Sequence, residues 1–181
     1  MSSRQYRHFI PPPEVAGKPH RDWSKSEAEI YFDWLVGVTP DRARYLLRFL
    51  GLDERMLDRT TLLELGSRVV RLLPSEAYSR AEGEGNRILS DCGYALAADM
   101  GLVTGQLLLE ALQPRVRWEI LRKPKSDLSY NLPVLTGFGG FSLDPIGGSI
   151  AEANGVLLGR RGSDAWVRIL DYWSERAKGS P

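Results

Sequence analysis

The stretch that decides the fold is residues 86–112, NRILSDCGYALAADMGLVTGQLLLEAL. Its apolar residues recur at intervals of three and four, which is the spacing of one face of an α-helix. Gly93, Gly101 and Gly105 lie within it, and each glycine costs about 1 kcal/mol relative to alanine inside a helix. Because small residues allow close backbone approach, the pattern predicts one long central helix with its neighbours packed tightly against it.

Upstream of this helix, capping signals predict two helices joined as a hairpin. Ser24 and Glu27 have the spacing of a capping box, and an apolar stripe follows them as far as Val38, so the first helix is expected to end at or close to Gly37. Thr39 and Pro40 suit the cap and the first position of a second helix. The short connection predicts that the two helices pack against each other.

A third helix and a polar connection are predicted before the long helix. Thr61 and Glu64 repeat the spacing of a capping box, and Pro74 limits the helix that follows them. Residues 74–86 contain two glycines and mostly polar side chains, so an irregular connection is expected there.

Downstream of the long helix the hydrophobic period changes from helical to alternating. Val116, Trp118 and Ile120 are separated by charged residues, which predicts a half-buried strand. A polar loop over residues 122–131 leads to a second strand at residues 133–138. The two strands are expected to pair antiparallel.

Two final helices complete the prediction of an α+β fold that is predominantly helical, with a small antiparallel strand pair. Asp144 before Pro145 suits the start of one helix, and the pair Ser163 and Asp164 suits the start of the other. Three segments are expected, namely a flexible, proline-containing N-terminal arm over residues 1–23, a single globular α+β domain over residues 24–177, and a free tail over residues 178–181.

The composition is that of a folded soluble protein. Lysine and arginine number 24 against 23 for aspartate and glutamate, and a net charge of +1 gives no general attraction to nucleic acid or to a membrane. The single cysteine excludes an internal disulfide, and the first residues lack the apolar core of a signal peptide. A cytoplasmic location without a membrane span is therefore expected.

No cofactor motif and no metal site are expected. The two histidines, His8 and His20, lie in the arm without another ligand at a useful spacing. Cys92 lies on the apolar stripe of the long helix and is expected to pack in the core. The glycine-rich residues 137–141 lack the lysine and hydroxyl residue of a phosphate-binding loop, so they are expected to end a strand.

Asp99 is the polar residue that stands out in the long helix. It lies among small residues, and an inward-facing carboxylate needs a partner such as an arginine or the indole N–H of a tryptophan. Two interpretations stay open. Asp99 is either an exposed or paired structural carboxylate, or part of a polar pocket, together with Trp118, in an enzyme or small-ligand-binding domain.

The densest group of basic residues lies around the first strand and the loop after it. Basic and aromatic side chains together can hold single-stranded nucleic acid, but the same charges can face an acidic protein surface. Because the overall charge is near neutral, a protein partner is expected and nucleic acid is not. The residues predicted to bind the partner are Arg115, Arg122, Lys123, Lys125, Tyr130 and Asn131.

Two segments carry a family resemblance. The first runs from Asp99 through Gly101 and Gly105 to the tryptophan-centred residues 116–119, and the second is residues 130–138, YNLPVLTGF. Together they resemble uncharacterised small bacterial proteins, some of the kind that act as immunity proteins to toxins. The resemblance implies a bacterial partner-binding protein, and no site residue is carried over from it.

The leading hypothesis is a non-enzymatic protein-binding module. Its narrower form is an immunity-type inhibitor of a partner protein. The alternative is an enzyme or small-ligand-binding domain with a polar pocket around Asp99.

Overall fold

The computed structural model describes residues 6–54, 57–83 and 85–179. Within them the chain forms an α+β fold that is predominantly helical, which confirms the predicted fold class. The helices are α1 (Lys25–Phe49), α2 (Arg59–Leu72), α3 (Asp91–Leu112), α4 (Pro145–Leu157) and α5 (Ala165–Lys178). The strands form two antiparallel pairs, β1 (Ser79–Glu82) with β2 (Asn86–Leu89), and β3 (Arg117–Ile120) with β4 (Pro133–Thr136).

Helix α3 forms the centre of the fold, and α1, α4 and α5 pack on it. A β-carbon built on Gly101 would lie 2.2 Å from the carbonyl oxygen of Pro145, and one on Gly93 would lie 2.0 Å from that of Tyr78. Neighbouring backbone thus fills the space of a side chain, as the glycine pattern predicts. Among the described helices, α3 alone is long and apolar enough to cross a membrane, but most of it is buried inside the fold.

Helix α1 begins as predicted but does not end at Gly37. Ser24 Oγ accepts a hydrogen bond from the Glu27 amide at 3.1 Å, and Glu27 Oε2 accepts one from the Ser24 amide at 2.6 Å. The predicted helical hairpin is wrong, because α1 continues through Pro40 to Phe49. Its buried residues stay on one face throughout, so packing on α3 outweighs the backbone hydrogen bond that proline cannot make.

The N-cap of α2 differs from the predicted one. Asp58 caps the helix, because its Oδ1 accepts a hydrogen bond from the Thr61 amide at 2.7 Å. Glu64 is not part of a capping box, since its carboxylate pairs with Arg68 one turn further along. The helix ends before Pro74, as predicted.

The segment before α3 forms a strand hairpin, which the sequence pattern does not predict. Ser79 pairs with Leu89, so residues 86–89 belong to β2, and α3 begins only at Asp91. Leu89 is buried in the same core as α3. Its place in the apolar pattern therefore reflects burial and not helical structure.

The predicted strand pair and the last two helices are present. Trp118 on β3 lies opposite Leu135 on β4 in an antiparallel register. Asp144 and Asp164 are the N-cap residues of α4 and α5, as predicted. The start of α4 therefore follows from a local capping bond, whereas α5 begins after Asp164 without one.

Residues 6–23, the described part of the predicted arm, lie against the helical domain. Their backbone is irregular except for one turn of 3-10 helix at His20–Asp22, yet Tyr6 and Val15 are buried. At the other end of the chain, Lys178 is the last residue of α5. The parts of the predicted arm and tail that lie outside the described residues are 1–5, 180 and 181.

Candidate functional site

An open groove lies between the N-terminal arm and helices α1, α3 and α4. Its volume is about 420 Å³. Three aromatic rings, one imidazole and one carboxylate line it, together with small and branched apolar side chains. The lining residues are Phe9, Tyr31, Tyr94, His8, Asp91, Ala95, Ala98, Ile146 and Ile150. The groove thus combines ring surfaces with a negative charge.

Asp91 and Tyr94 form the α3 side of the groove. Ser90 caps α3 by accepting a hydrogen bond from the Gly93 amide at 3.2 Å, which places Asp91 in the first turn. Tyr94 follows three residues later, on the same helix face. Tyr94 is 46% exposed, and no described residue donates a hydrogen bond to the exposed Asp91 carboxylate. Both side chains can therefore contact a binding partner.

His8 forms part of the arm side of the groove, next to a buried thiol. Its Nε2 lies 3.6 Å from Cys92 Sγ, and the thiol also donates to the carbonyl oxygen of Tyr6 at 3.7 Å. Cys92 is buried in the core, as predicted. The sequence pattern does not predict the contact with His8, because no spacing rule joins residues 84 positions apart. Within the described chain, no group of three or more His, Cys, Asp or Glu residues could hold a metal ion.

Asp99 is fully buried and is held by two side chains. Arg42 Nε donates to Asp99 Oδ1 at 2.8 Å, and Arg42 Nη2 donates to Oδ2 at 2.6 Å. The hydroxyl of Tyr6 donates a further, short hydrogen bond to Oδ2. The partner that a buried carboxylate requires is therefore an arginine, which α1 supplies.

The same ion pair holds the arm residues that border the groove. Arg42 Nη2 donates to the carbonyl oxygen of Arg7 at 2.9 Å. The guanidinium carbon of Arg42 lies 4.4 Å from the centre of the Phe9 ring, which is a cation–π distance. Residues 6–9 are thus anchored by a buried charge pair where they form the wall of the groove.

Burial controls the protonation of this network. It raises the pKa of Asp99 to about 6, although the hydrogen bonds from Arg42 and Tyr6 favour the charged form. Burial and the neighbouring charge of Asp99 also raise the pKa of the Tyr6 phenol. Desolvation of the carboxylate therefore outweighs its ion pair.

Asp99 does not open into the groove. Its side chain is fully buried, and both oxygens accept hydrogen bonds from Arg42 or Tyr6. Trp118, the other residue predicted for a polar pocket, is half-buried on β3 and packs against the core. Neither residue lines the groove, which is built from other side chains.

The basic loop predicted to bind a partner exposes two of its cations. Lys123 and Lys125 are exposed, and neither forms a hydrogen bond or ion pair with another described residue. Arg115, at the other end of β3, is also exposed, but its guanidinium donates to the carbonyl oxygen of Ala177 in α5. Of the residues predicted to bind a partner, the two lysines are therefore the cations most available for an ion pair with it.

Asn131 and Arg122 hold the base of this loop. Asn131 is buried, and its Nδ2 donates to the carbonyl oxygens of His20 at 3.0 Å and Trp23 at 3.1 Å. Its Oδ1 accepts a hydrogen bond from Arg122 Nη1 at 2.9 Å. Tyr130 is half-buried, and its carbonyl oxygen lies 2.7 Å from His20 Nδ1. Asn131 therefore joins the loop to the arm and presents no surface to a partner.

The loop and the groove approach each other at Asp144. Ser129 Oγ, near the end of the loop, donates to Asp144 Oδ2 at 3.0 Å. Burial, together with the charge of Asp144, raises the pKa of Tyr31 to about 12. Asp144 is also the N-cap of α4, whose Ile146 lines the groove, so the loop and the groove meet at the start of α4.

Comparison with known proteins places this chain in no family. No protein-family model, no curated protein and no solved structure matches it. A functional assignment therefore rests on the residues of the groove and the loop.

Proposed function

We propose that this chain is a non-enzymatic protein-binding module of the bacterial cytoplasm, and that the groove and the adjoining loop form its binding surface. The observation that carries the proposal is that the exposed ring of Tyr94 and the exposed carboxylate of Asp91, which accepts no hydrogen bond from another described residue, line the groove together. Aromatic residues are enriched in protein interfaces, and a few of them supply most of the binding free energy.

The loop supports the same proposal. Lys123 and Lys125 present charge to solvent, while the buried side chain of Asn131 holds the end of the loop. A surface that is already held in one conformation loses less entropy when it binds. Exposed cations also speed association with an acidic partner surface.

In the narrower form of the proposal, the partner is a toxin that this protein inhibits. The support for it is the resemblance of the segments around residues 99–119 and 130–138 to immunity-type proteins. The second segment includes the buried Asn131 at the base of the loop, which is where the proposed surface begins.

One observation favours the alternative of a small-ligand-binding domain or enzyme. The groove volume of about 420 Å³ lies within the range of roughly 300–1,000 Å³ that small-molecule sites occupy. In this alternative Asp91 and Tyr94 would contact a small molecule, and Lys123 and Lys125 would have no role in binding.

Affinity capture distinguishes the two functions. Tagged full-length protein is incubated with a lysate of the organism that makes it, and captured proteins are identified by mass spectrometry. We expect a stoichiometric partner, and we expect Tyr94→Ala and the double variant Lys123→Glu with Lys125→Glu each to weaken its binding about fivefold or more, since truncating a central interface residue costs at least about 1 kcal/mol.

A matched control uses two exposed cations elsewhere on the surface. The double variant Arg80→Glu with Lys178→Glu changes the net charge by the same amount on β1 and α5, so it should bind the partner like the wild type. Equal binding by the Lys123 and Lys125 variant would remove the loop from the interface. A folded bait that captures no partner would contradict the protein-binding function.

A further inference from the structure

We propose that the groove binds the guanidinium group of an arginine side chain that the partner protein presents. This inference rests on the proposed protein-binding function and adds the chemistry of the contact. Asp91 supplies the acceptor oxygens, and the exposed ring of Tyr94 supplies the stacking surface, with Phe9 and Tyr31 forming the apolar wall behind it.

The rings come from three different parts of the chain. Phe9 of the arm, Tyr31 of α1 and Tyr94 of α3 all line the groove. A guanidinium is planar and weakly hydrated, so it stacks well on aromatic faces. The chain itself shows this preference, because the guanidinium carbon of Arg42 lies 4.4 Å from the centre of the Phe9 ring and 5.2 Å from that of Tyr45.

The charge of the groove favours a cation. Asp91 is the one carboxylate that lines it, and among the described residues no lysine or arginine lines it. Arg42, which stacks on Phe9, is balanced by Asp99. The N-terminal end of α3 carries about half a positive charge, which the full negative charge of Asp91 exceeds.

Arginine fits this arrangement better than lysine or an apolar residue. A carboxylate can accept two parallel N–H bonds from a guanidinium, and Tyr94 lies on the same helix face as Asp91 to receive the planar group. An ammonium group also makes cation–π contacts, but it is more strongly hydrated and has no planar face to lie flat on a ring. An apolar side chain would cover Asp91 without giving it a hydrogen-bond donor, which is unfavourable.

The test measures binding of a defined probe to the full-length protein. The ¹⁵N-labelled chain is titrated with the capped tripeptide Ac-Ala-Arg-Ala-NH₂, and amide shifts are followed by NMR. We expect saturable shifts at Tyr94, Ala95, Ala98 and Ile150. The citrulline analogue, which has the same shape without the charge, should bind about tenfold more weakly, because charge-assisted hydrogen bonds are roughly twice as strong as neutral ones.

Two variants and one control locate the contact. Asp91→Asn should weaken the arginine peptide about tenfold, through loss of the carboxylate. Tyr94→Leu should weaken it about two- to fivefold, because it keeps apolar area but removes the ring face. Glu175→Gln removes an exposed carboxylate on α5 and should leave the affinity unchanged.

Several outcomes would overturn the inference. These are equal binding of the citrulline peptide, tighter binding of the matching lysine peptide Ac-Ala-Lys-Ala-NH₂, and shifts that avoid the groove. Wild-type protein alone decides these three, so they do not depend on the folding of any variant. If the arginine peptide does not bind but a partner protein is captured, the protein-binding function stands and the arginine contact is wrong. If the arginine peptide binds in the groove but no partner protein is captured, the groove binds a guanidinium and the protein-binding function is wrong.

Discussion

The guanidinium of Arg42 on α1 and the carboxylate of Asp99 on α3 form a two-point ion pair, with nitrogen–oxygen distances of 2.8 and 2.6 Å. Asp99 has no exposed surface there. The pair joins the two longest helices and, through Arg7 and Phe9, it holds the arm that forms one wall of the groove. The wall of the groove therefore depends on a charge pair that does not itself line the groove.

Removing Arg42 alone should destabilise the protein strongly. Arg42→Met leaves the buried Asp99 carboxylate without its cation, and breaking a buried pair in this way costs about 3–5 kcal/mol. The double variant Arg42→Met with Asp99→Asn removes both charges and should recover most of the loss. Urea denaturation at pH 7 measures the free energies of unfolding.

An exposed pair provides the control for this prediction. The side chains of Arg59 and Asp171 are 60% and 44% exposed, so Arg59→Met should change the free energy of unfolding by less than about 1 kcal/mol. Equal losses for Arg42→Met and Arg59→Met would show that burial of the first pair has no energetic consequence.

Asp99 should bind its proton at a higher pH than an ordinary carboxyl group. Burial raises its pKa from 3.8 to about 6. Because the folded-state pKa lies above the unfolded one, the stabilisation from protonated Asp99 is complete below about pH 4 and is lost as the pH rises through 6. A ¹³C NMR titration of the Asp99 carboxyl carbon measures the folded-state value. A midpoint below that of an unfolded aspartate would mean that Arg42 and Tyr6 outweigh desolvation.

Glu27 should affect stability in the opposite direction on acidification. Hydrogen bonds from Lys18 and Ser24 lower its pKa from 4.5 to about 2. A lowered folded-state pKa gives stability that is present above the unfolded value and is lost as the pH falls through 2. Glu27→Gln should therefore lose less stability than the wild type over this range in thermal denaturation. Glu14→Gln, at an exposed arm position, should follow the wild-type curve.

Two glycine-to-alanine changes should have opposite signs. A β-carbon at Gly101 would lie 2.2 Å from the backbone oxygen of Pro145, so Gly101→Ala should force α3 and α4 apart and destabilise the fold by about 3 kcal/mol. Gly37 lies inside α1 with open space around it, and Gly37→Ala should stabilise the fold by about 0.5–1 kcal/mol. Chemical denaturation of both variants checks the signs, and a stabilised Gly101→Ala protein would refute close packing at that point.

The candidate site is harder to predict from the sequence than the fold. The sequence shows that a buried Asp99 needs an arginine or tryptophan, but it does not indicate Arg42, which lies 57 positions away. It draws attention to Asn131, which the structure buries. No sequence pattern near His8 or Tyr94 indicates that they line a groove, because the groove forms only when the arm, α1, α3 and α4 come together.

The sequence by itself determined the fold class and the central place of α3, through the hydrophobic periods, and the caps at Ser24 and Asp144, through residues within one helical turn. Only the tertiary structure decided that α1 continues through Pro40, that residues 86–89 form a strand, and that the arm closes one side of the groove. Local signals are worth about 1 kcal/mol each. Burying one large apolar side chain contributes about 1.5–3 kcal/mol, so the packing of a whole helix face outweighs them.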